Sequence, residues 1–139
     1  MMMSTLVDSN VIIDVLHGNS RWTEASLRAI ATAKSEGDLV INPLFYAEVS
    51  AAFATEQDAN AAMSATLYGR EHLPWEAAFL AATAFVSYQR RGGSKRSPLP
   101  DFYIGAHAAV RGYRLLTRDL QRYRAYFPTV PLIAPDTHP

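Results

Sequence analysis

The sequence predicts an α/β fold: a central parallel sheet of about four to five short strands, covered by helices in a three-layer α/β/α arrangement. Short apolar runs recur along the chain, and segments with helical patterns separate them. The chain has 139 residues, 49% of them hydrophobic, which is enough to bury one core without cross-links. We therefore expect residues 1–139 to form a single domain.

The elements of the first half follow from strand-like apolar runs, helical periodicity and helix stop signals. They are a strand at Thr5 to Asp8, a helix from Asn10 to His17 ended by Gly18, a helix from Trp22 to Ser35 stopped by Gly37, and a strand at Leu39 to Ile41. Asn42 and Pro43 then predict a helix start. Asn is a good N-cap, and Pro in the first turn lacks only an N–H that would be unsatisfied anyway.

The second half is richer in helix than in strand. Its predicted elements are Ala-rich helices at Asp58 to Leu67 and Trp75 to Arg90, a helix opened by Pro100-Asp101, a strand at Leu115 to Thr117, and an edge strand at Pro131 to Ile133. Gly92 and Gly93 break the second Ala-rich helix, and residues 92–100 are the only linker-like stretch.

Four carboxylates stand out by position: Asp8, Glu48, Asp101 and Asp119. Glu48 is the sole charge between Asp38 and Glu56 and lies in an apolar run, where a carboxylate tends to be buried and to need a partner. Asp8 and Asp119 follow predicted strands, and parallel sheets bind ligands beyond the carboxyl ends of their strands. The positions predict one acidic metal pocket assembled from distant segments.

Each acid also has an ordinary structural interpretation. Asp101 fits a helix N-terminus, where the macrodipole favours acids, and Asp8 and Asp119 fit N-caps or turns. Taken singly, those interpretations are the stronger ones for Asp101 and Asp119. Glu48 has no capping role inside a helix. If all four converge, they cannot stay fully ionised without a cation, because close like charges raise one another's pKa.

The composition narrows the choice of metal and of compartment. There is no Cys, so disulfides and thiolate metal sites are excluded, and oxygen ligands favour Mg²⁺ or Mn²⁺. No two histidines have the spacing of metal ligands, such as i and i+4 on one helix, so none is assigned to a metal. The four are His17, His72, His107 and His138. No leader-like or membrane-spanning segment is visible, which predicts a cytoplasmic protein that does not enter membranes. The formal charge is zero, but the surface outside the four acids is mildly basic and suits a polyanion.

Four short motifs resemble the PIN-domain nucleases, and among them the VapC-type toxins of toxin–antitoxin pairs. They are Asp8-Ser9-Asn10, Glu48 on the helix after the second strand, Pro100-Asp101, and Thr117-Arg118-Asp119 followed by Arg122-Tyr123. Any one motif is weak, but four in this order make a specific match. The resemblance runs from Leu6 to about Pro135, and all four acidic positions are retained.

The resemblance implies a PIN-like fold and metal-assisted hydrolysis of RNA phosphodiester bonds by an endoribonuclease toxin. Mg²⁺ or Mn²⁺ would be held by the four acids, with Asn10 and Thr117 orienting carboxylates or the attacking water. Asp14 is interpreted as an ordinary exposed helix acid. The resemblance also implies a homodimer, a cognate small antitoxin as partner, and contact with DNA only through that antitoxin.

Two matters stay open at the level of sequence. Arg118, Lys95 and Arg96 are candidates for RNA phosphate contacts, although a basic loop is usually only solvated. A haloacid-dehalogenase-type phosphatase is disfavoured, because it needs a second Asp two residues after the first and Asn10 stands there. The remaining alternative is a non-catalytic PIN-like binding module in a DNA-bound regulatory complex with a small antitoxin-like partner.

Overall fold

The structure, a computed structural model, describes residues 3–18, 20–93 and 99–135, with the backbone alone at 99. The strands are β1 (Thr5–Val7), β2 (Leu39–Ile41), β3 (Tyr68–Arg70), β4 (Arg114–Leu116) and β5 (Leu132–Ile133). The helices are α1 (Ser9–His17), α2 (Thr23–Glu36), α3 (Pro43–Ser50), α4 (Glu56–Ala62), α5 (Trp75–Arg90), α6 (Leu99–Arg111) and α7 (Leu120–Arg124). Within the described ranges, no helix is both long and apolar enough to cross a lipid bilayer.

All five strands form one parallel sheet in the order β3-β2-β1-β4-β5. The chain moves outward from β1 to β3 and then returns to the other side of β1 with β4. This reversal creates a topological switch point between β1 and β4, the place where open α/β sheets bind ligands. Val7 pairs with Leu116, so Asp8 and Thr117 leave the sheet side by side.

The core lies on both faces of the sheet, under the flanking helices. Strands β1 and β2 are buried at every position, as expected for parallel strands covered on both sides. Helices α5 and α6 pack against each other over much of their length. At Gly105 of α6, the ring of Phe127 approaches so closely that a Cβ would overlap it. The predicted three-layer α/β/α fold is confirmed.

Two of the predicted local signals are seen in atomic detail. Gly18 ends α1 in the left-handed region with φ 74°, a conformation that favours glycine. The Asn42 side chain caps α3 by accepting hydrogen bonds from the backbone N–H groups of Leu44 and Phe45 at 3.0 and 3.1 Å.

Other elements differ from the prediction. The helix expected from Asp58 to Leu67 was wrong in extent, because α4 ends at Ala62 and the chain then turns into β3, which was not predicted. β3 is an edge strand with two exposed positions, so it carries no apolar run. Strand β4 begins one residue earlier than expected and ends at Leu116, which leaves Thr117 just beyond the sheet. Helix α7 was also not predicted.

Candidate functional site

Asp8 stands at the centre of the candidate site, directly after β1. Asp8 is buried, with 5% of the residue exposed. Thr117 Oγ1 donates a hydrogen bond of 2.8 Å to Asp8 Oδ2 and accepts one of 3.0 Å from the backbone N–H of Asp119. Asp8 and Asp119 occupy the N-cap positions of α1 and α7, but neither side chain makes a capping hydrogen bond. Neither carboxylate therefore acts as a helix cap.

Asn10 links Asp8 to Asp119. Its Nδ2 donates to Asp8 Oδ2 at 3.5 Å and to Asp119 Oδ2 at 3.3 Å, while its Oδ1 accepts from the backbone N–H of Arg118 at 3.4 Å. The Asp-x-Asn spacing makes this geometry possible, since Asn10 lies in the first turn of the helix that begins after Asp8. The amide spaces the two carboxylates and fixes the loop after β4.

Glu48 joins the group through Ser9. The Ser9 hydroxyl donates to Glu48 Oε1 at 3.0 Å and lies 3.3 Å from Asp8 Oδ1, so one side chain bridges the two acids. The expectation that Glu48 is buried was wrong. Helix α3 turns Phe45 and Val49 into the core and leaves Glu48 at the exposed rim of the site.

Asp101 lies in the first turn of α6 and reaches the group through Arg122 of α7. Arg122 Nη1 is 3.3 Å from Asp101 Oδ1, and Nη2 is 3.4 Å from Asp119 Oδ2. One guanidinium thus spans two of the four acids. The charges of Asp101 and Asp119 raise the pKa of Arg122 above its usual value, against the opposing effect of burial.

The positive charge near the acids of this centre is too small to offset the effects that disfavour their charged forms. Burial raises the pKa of Asp8, and the charge of Asp119 adds to the effect, while the hydrogen bond from Thr117 opposes it. Partial burial raises the pKa of Glu48, and burial raises the pKa of Asp101 in spite of Arg122. A bound cation would relieve this unfavourable charge.

The donor chemistry fits Mg²⁺ or Mn²⁺, because all the candidate ligands are carboxylate oxygens. The buried hydroxyl of Tyr123 also lies in the field of Asp8 and Asp101, and burial raises its pKa, which keeps it protonated. The arrangement is nevertheless more open than the predicted pocket. Within the described part of the chain, no three acids or histidines lie close enough to hold an ion. Ser9, Asn10 and Arg122 stand between the carboxylates.

Of the basic candidates, Arg118 directs its side chain to Asp14. Arg118 Nε is 2.9 Å from Asp14 Oδ2, and its guanidinium lies over the Trp22 ring at 5.0 Å. Asp14 is therefore not an ordinary exposed acid: it is 5% exposed and is paired with Arg118 because α1 turns it toward the loop after β4. Lys95 and Arg96 lie outside the described residues.

Sequence reasoning missed two bridging residues, Ser9 and Arg122. Ser9 had only its adjacency to Asp8 as a signal. Arg122 follows Asp119 by three residues, a spacing that allows an ion pair on one helix. Its contact with Asp101 depends on how α6 and α7 pack, which the sequence does not display.

Comparisons with known proteins identify the family of the chain. The family model described as PIN domain matches residues 5–128, most of the chain. The chain belongs to the PIN domain family. None of the curated proteins matches it. Membership confirms the predicted family and supports nuclease activity at the level of the family as a whole.

Several solved structures share the fold at low identity. VapBC2 from Rickettsia felis, bound to a DNA fragment from its promoter, aligns with a TM-score of 0.75 at 12% identity, covering 96% of this chain and 100% of that one. VapBC-1 from nontypeable Haemophilus influenzae gives 0.72 at 18%, covering 95% and 98%. DNA-bound VapBC from Salmonella typhimurium gives 0.71 at 17%, covering 96% and 98%. At these identities the likeness concerns the fold.

Proposed function

We propose that the chain is a metal-dependent endoribonuclease that hydrolyses RNA phosphodiester bonds and acts as the toxin of a toxin–antitoxin pair. One observation carries the proposal. At the switch point of the sheet, hydrogen bonds and ion pairs link four carboxylates from four segments, and the pKa values of Asp8, Glu48 and Asp101 are raised. A protein keeps such an unfavourable group where the acids serve chemistry.

Mg²⁺ or Mn²⁺ would be held by Asp8, Asp101, Asp119 and Glu48, in part through water. When bound, the ion supplies an activated water and stabilises negative charge on the phosphate. Thr117 and Asn10 position the Asp8 carboxylate, and Asn10 also positions Asp119. For the acids to close around an ion, Arg122 must release Asp101 and Asp119.

The proposed partners follow from the neighbours in fold and from the motifs. The similar structures from Rickettsia felis, Haemophilus influenzae and Salmonella typhimurium are VapBC complexes, two of them with DNA. By analogy we propose that this chain forms a homodimer in the cytoplasm, binds a small antitoxin, and contacts DNA only through that antitoxin. The chain as a whole, residues 1–139, would act as one domain.

The test is cleavage of structured RNA by the purified protein. We expect 5′-labelled RNA to be cut with Mg²⁺ or Mn²⁺, and cutting to stop in excess EDTA and resume when Mg²⁺ is restored. The Asp8→Asn variant should be inactive in every condition, whereas Glu24→Gln, which changes an exposed acid remote from the site, should match wild type. Metal-independent cleavage, or equal cleavage by Asp8→Asn, would refute the proposal. Absence of cleavage together with tight binding of an antitoxin-like partner would favour the non-catalytic binding module.

A further inference from the structure

The turn between α1 and α2 brings two arginine side chains onto one tryptophan ring. The guanidinium carbon of Arg21 lies 5.2 Å from the centroid of the Trp22 ring, and that of Arg118 lies 5.0 Å from it. Arg21 belongs to the turn itself, whereas Arg118 comes from the loop after β4. Because the face of an aromatic ring attracts a guanidinium, Trp22 gathers two positive charges from segments that are far apart in sequence.

Hydrogen bonds within this turn hold Trp22 in place. The Trp22 backbone N–H donates to Ser20 Oγ at 3.0 Å, and the Ser20 backbone N–H donates to Thr23 Oγ1 at 3.1 Å. The Thr23 hydroxyl in turn donates to the backbone carbonyl of Asp14 in α1 at 2.8 Å. The ring is therefore in position before any ligand binds, which reduces the entropy cost of binding.

The charges around this ring do not cancel. Arg118 Nε pairs with Asp14 Oδ2 at 2.9 Å, and 32% of the Arg118 side chain remains exposed. Arg21 is exposed, and in the part of the chain that the structure describes it makes no ion pair. The neighbouring acid on α2, Glu24, pairs with Arg28. One carboxylate thus faces two guanidiniums, and the excess positive charge can bind an anion.

The two arginines adjoin the acid centre. Arg118 directly precedes Asp119, so the Cα atoms of the two residues are about 3.8 Å apart. The Arg118 backbone N–H donates to Asn10 Oδ1 at 3.4 Å, and Asn10 Nδ2 donates to Asp119 Oδ2 at 3.3 Å. The loop that carries a proposed metal ligand therefore also carries Arg118. A strand of RNA whose scissile phosphate lies at the acids passes beside these guanidiniums.

We propose that Arg21, Trp22 and Arg118 form a subsite for the RNA backbone, in which both guanidiniums bind phosphate oxygens on one side of the scissile bond. Four carboxylates repel a polyanion, so a substrate that reaches them needs positive charge close by. Guanidiniums suit this role, because their planar array of donors matches phosphate oxygens. The Trp22 ring and the Asp14 carboxylate hold these donors in position.

The subsite contributes affinity and register rather than base preference, because phosphate contacts carry no sequence information. It deepens the proposed function and rests on RNA as the substrate named there. Its binding energy does not depend on metal, which allows binding to be measured separately from cleavage.

The first experiment measures RNA binding in EDTA, where the proposed cleavage does not occur. A fluorescein-labelled single-stranded RNA of mixed sequence is titrated with the full chain, and its anisotropy gives the dissociation constant at several salt concentrations. Each lost phosphate contact should flatten the slope of log affinity against log salt by about 0.7. Arg21→Gln should show this loss, and Arg21→Gln combined with Arg118→Gln should lose about 1.4. At low salt, Arg21→Gln should also weaken binding by about tenfold or more.

The matched control is Lys34→Gln, which removes one exposed positive charge from the last turn of α2. Trp22 precedes the first residue of this 14-residue helix, so Lys34 lies roughly 18 Å away along the axis. Its affinity and salt slope should match wild type. Arg21→Gln decides the question even if the double variant, which leaves Asp14 without its partner, does not fold. The assignment is overturned if Arg21→Gln binds as Lys34→Gln does, or if wild type binds no RNA.

The second experiment uses the two tryptophans of the chain, Trp22 and Trp75. In Trp75→Phe, Trp22 is the sole tryptophan, and RNA bound beside its ring should change its fluorescence in step with the anisotropy. In Trp22→Phe, only Trp75 reports, and its change should be smaller. A Trp22 signal that stays constant while RNA binds, or that changes no more than that of Trp75, would place the RNA elsewhere and overturn the assignment.

Cleavage with Mg²⁺, measured in parallel, separates this proposal from the one on which it rests. Cleavage by wild type together with unchanged RNA affinity in Arg21→Gln would overturn the subsite and leave the nuclease proposal intact. RNA binding that depends on Arg21, without cleavage in any condition, would support the subsite and overturn only the nuclease proposal.

Discussion

Two acidic sites lie at the same edge of the sheet: the four-carboxylate centre and Glu71. They differ in how many hydrogen-bond donors and positive charges surround each carboxylate. The acid centre beyond β1 and β4 gathers four carboxylates, and one guanidinium, that of Arg122, pairs with only two of them, Asp101 and Asp119. Beyond β3, by contrast, Glu71 is a single carboxylate with three donors. It accepts from His107 Nε2 at 2.9 Å, Arg111 Nε at 3.3 Å and the Tyr113 hydroxyl at 2.6 Å.

The neighbours of Glu71 also fix which atoms donate and which accept in its hydrogen-bond network. The Oδ1 atom of Asn42 is occupied by the N-cap of α3, so its Nδ2 faces His107 Nδ1 at 3.1 Å and donates to it. The neutral imidazole must then carry its proton on Nε2 and donate to Glu71. Burial lowers the pKa of His107, which keeps it neutral, and the hydrogen bonds lower the pKa of Glu71 although its burial acts in the opposite direction.

This difference in surroundings suggests that Glu71 stabilises the fold, whereas the acid centre serves function. Hydrogen bonds around Glu71 favour its charged form. This carboxylate links the end of β3 to α6, and His107 continues the link to Asn42 at the start of α3. In the acid centre, the charged forms of Asp8, Glu48 and Asp101 are disfavoured, so the centre gains from an external cation. Neutralising an acid should therefore have opposite consequences for stability in the two groups.

The largest expected effect is on activity in the acid centre. Asp8→Asn and Asp101→Asn should each lower RNA cleavage by on the order of a hundredfold or more, because each removes a proposed metal ligand. Without metal, their free energies of unfolding should equal or exceed that of wild type, since the cost of burying a charged carboxylate is removed and charge repulsion is relieved. Single-turnover cleavage and urea denaturation in EDTA measure the two quantities. Near-wild-type turnover would remove that residue from the site.

The next effect is on stability, at Glu71. Replacing it with Gln removes the charge and cannot serve all three donors, so we expect the free energy of unfolding to fall by about 1–3 kcal/mol. Cleavage per folded molecule should be unchanged. Glu24→Gln, at an exposed ion pair on α2, should show no measurable loss of stability. A Glu71→Gln protein as stable as wild type would show that the network is dispensable.

A smaller effect concerns the affinity for metal. If Arg122 occupies Asp101 and Asp119 in place of a divalent cation, Arg122→Gln should bind Mn²⁺ about fivefold or more tightly, a modest coupling between two ligands of one site. It should also be less stable than wild type in EDTA. Calorimetric titration measures the affinity. Arg124→Gln, on an exposed position of the same helix, should behave as wild type. Unchanged or weaker Mn²⁺ binding by Arg122→Gln would show that the arginine does not compete with the ion.

The sequence predicted the strands that are buried on both faces of the sheet, because burial makes them apolar throughout. Strands β1 and β2, covered on both faces, are apolar throughout and were found within one residue. Strand β3 pairs only with β2 through its backbone, and Gly69 and Arg70 need no apolar neighbours there. An edge strand of three residues leaves no pattern to read. The short helix α7 is equally hard to predict, because five residues span little more than one turn.

Strand ends and a helix start drew attention to Asp8, Asp119 and Asp101 in the sequence, and isolation in an apolar run drew attention to Glu48. Asn10 and Thr117 were named through the resemblance to the PIN-domain nucleases. The bridges between the acids could not be named from sequence. Ser9 contacts Glu48 across 39 positions and Arg122 contacts Asp101 across 21, so both contacts depend on helix packing. The sequence predicted an acidic metal pocket, whereas the structure adds an arginine, Arg122, that pairs with two of its acids.

The smallest expected effect is a difference in pH dependence between the two groups, measured without metal. A raised pKa in the folded state means that the contribution of Asp8 to stability is present below its ordinary pKa of 3.8 and is lost as the pH rises through the folded value. The advantage of Asp8→Asn over wild type should therefore grow from about pH 4 to pH 7. Glu71 has a lowered pKa, so its contribution is present above its ordinary 4.5 and is lost as the pH falls. The deficit of Glu71→Gln should accordingly shrink below about pH 4.5. Urea unfolding of the three proteins across this range measures both trends, and differences from wild type that stay constant with pH would refute the contrast between the two groups.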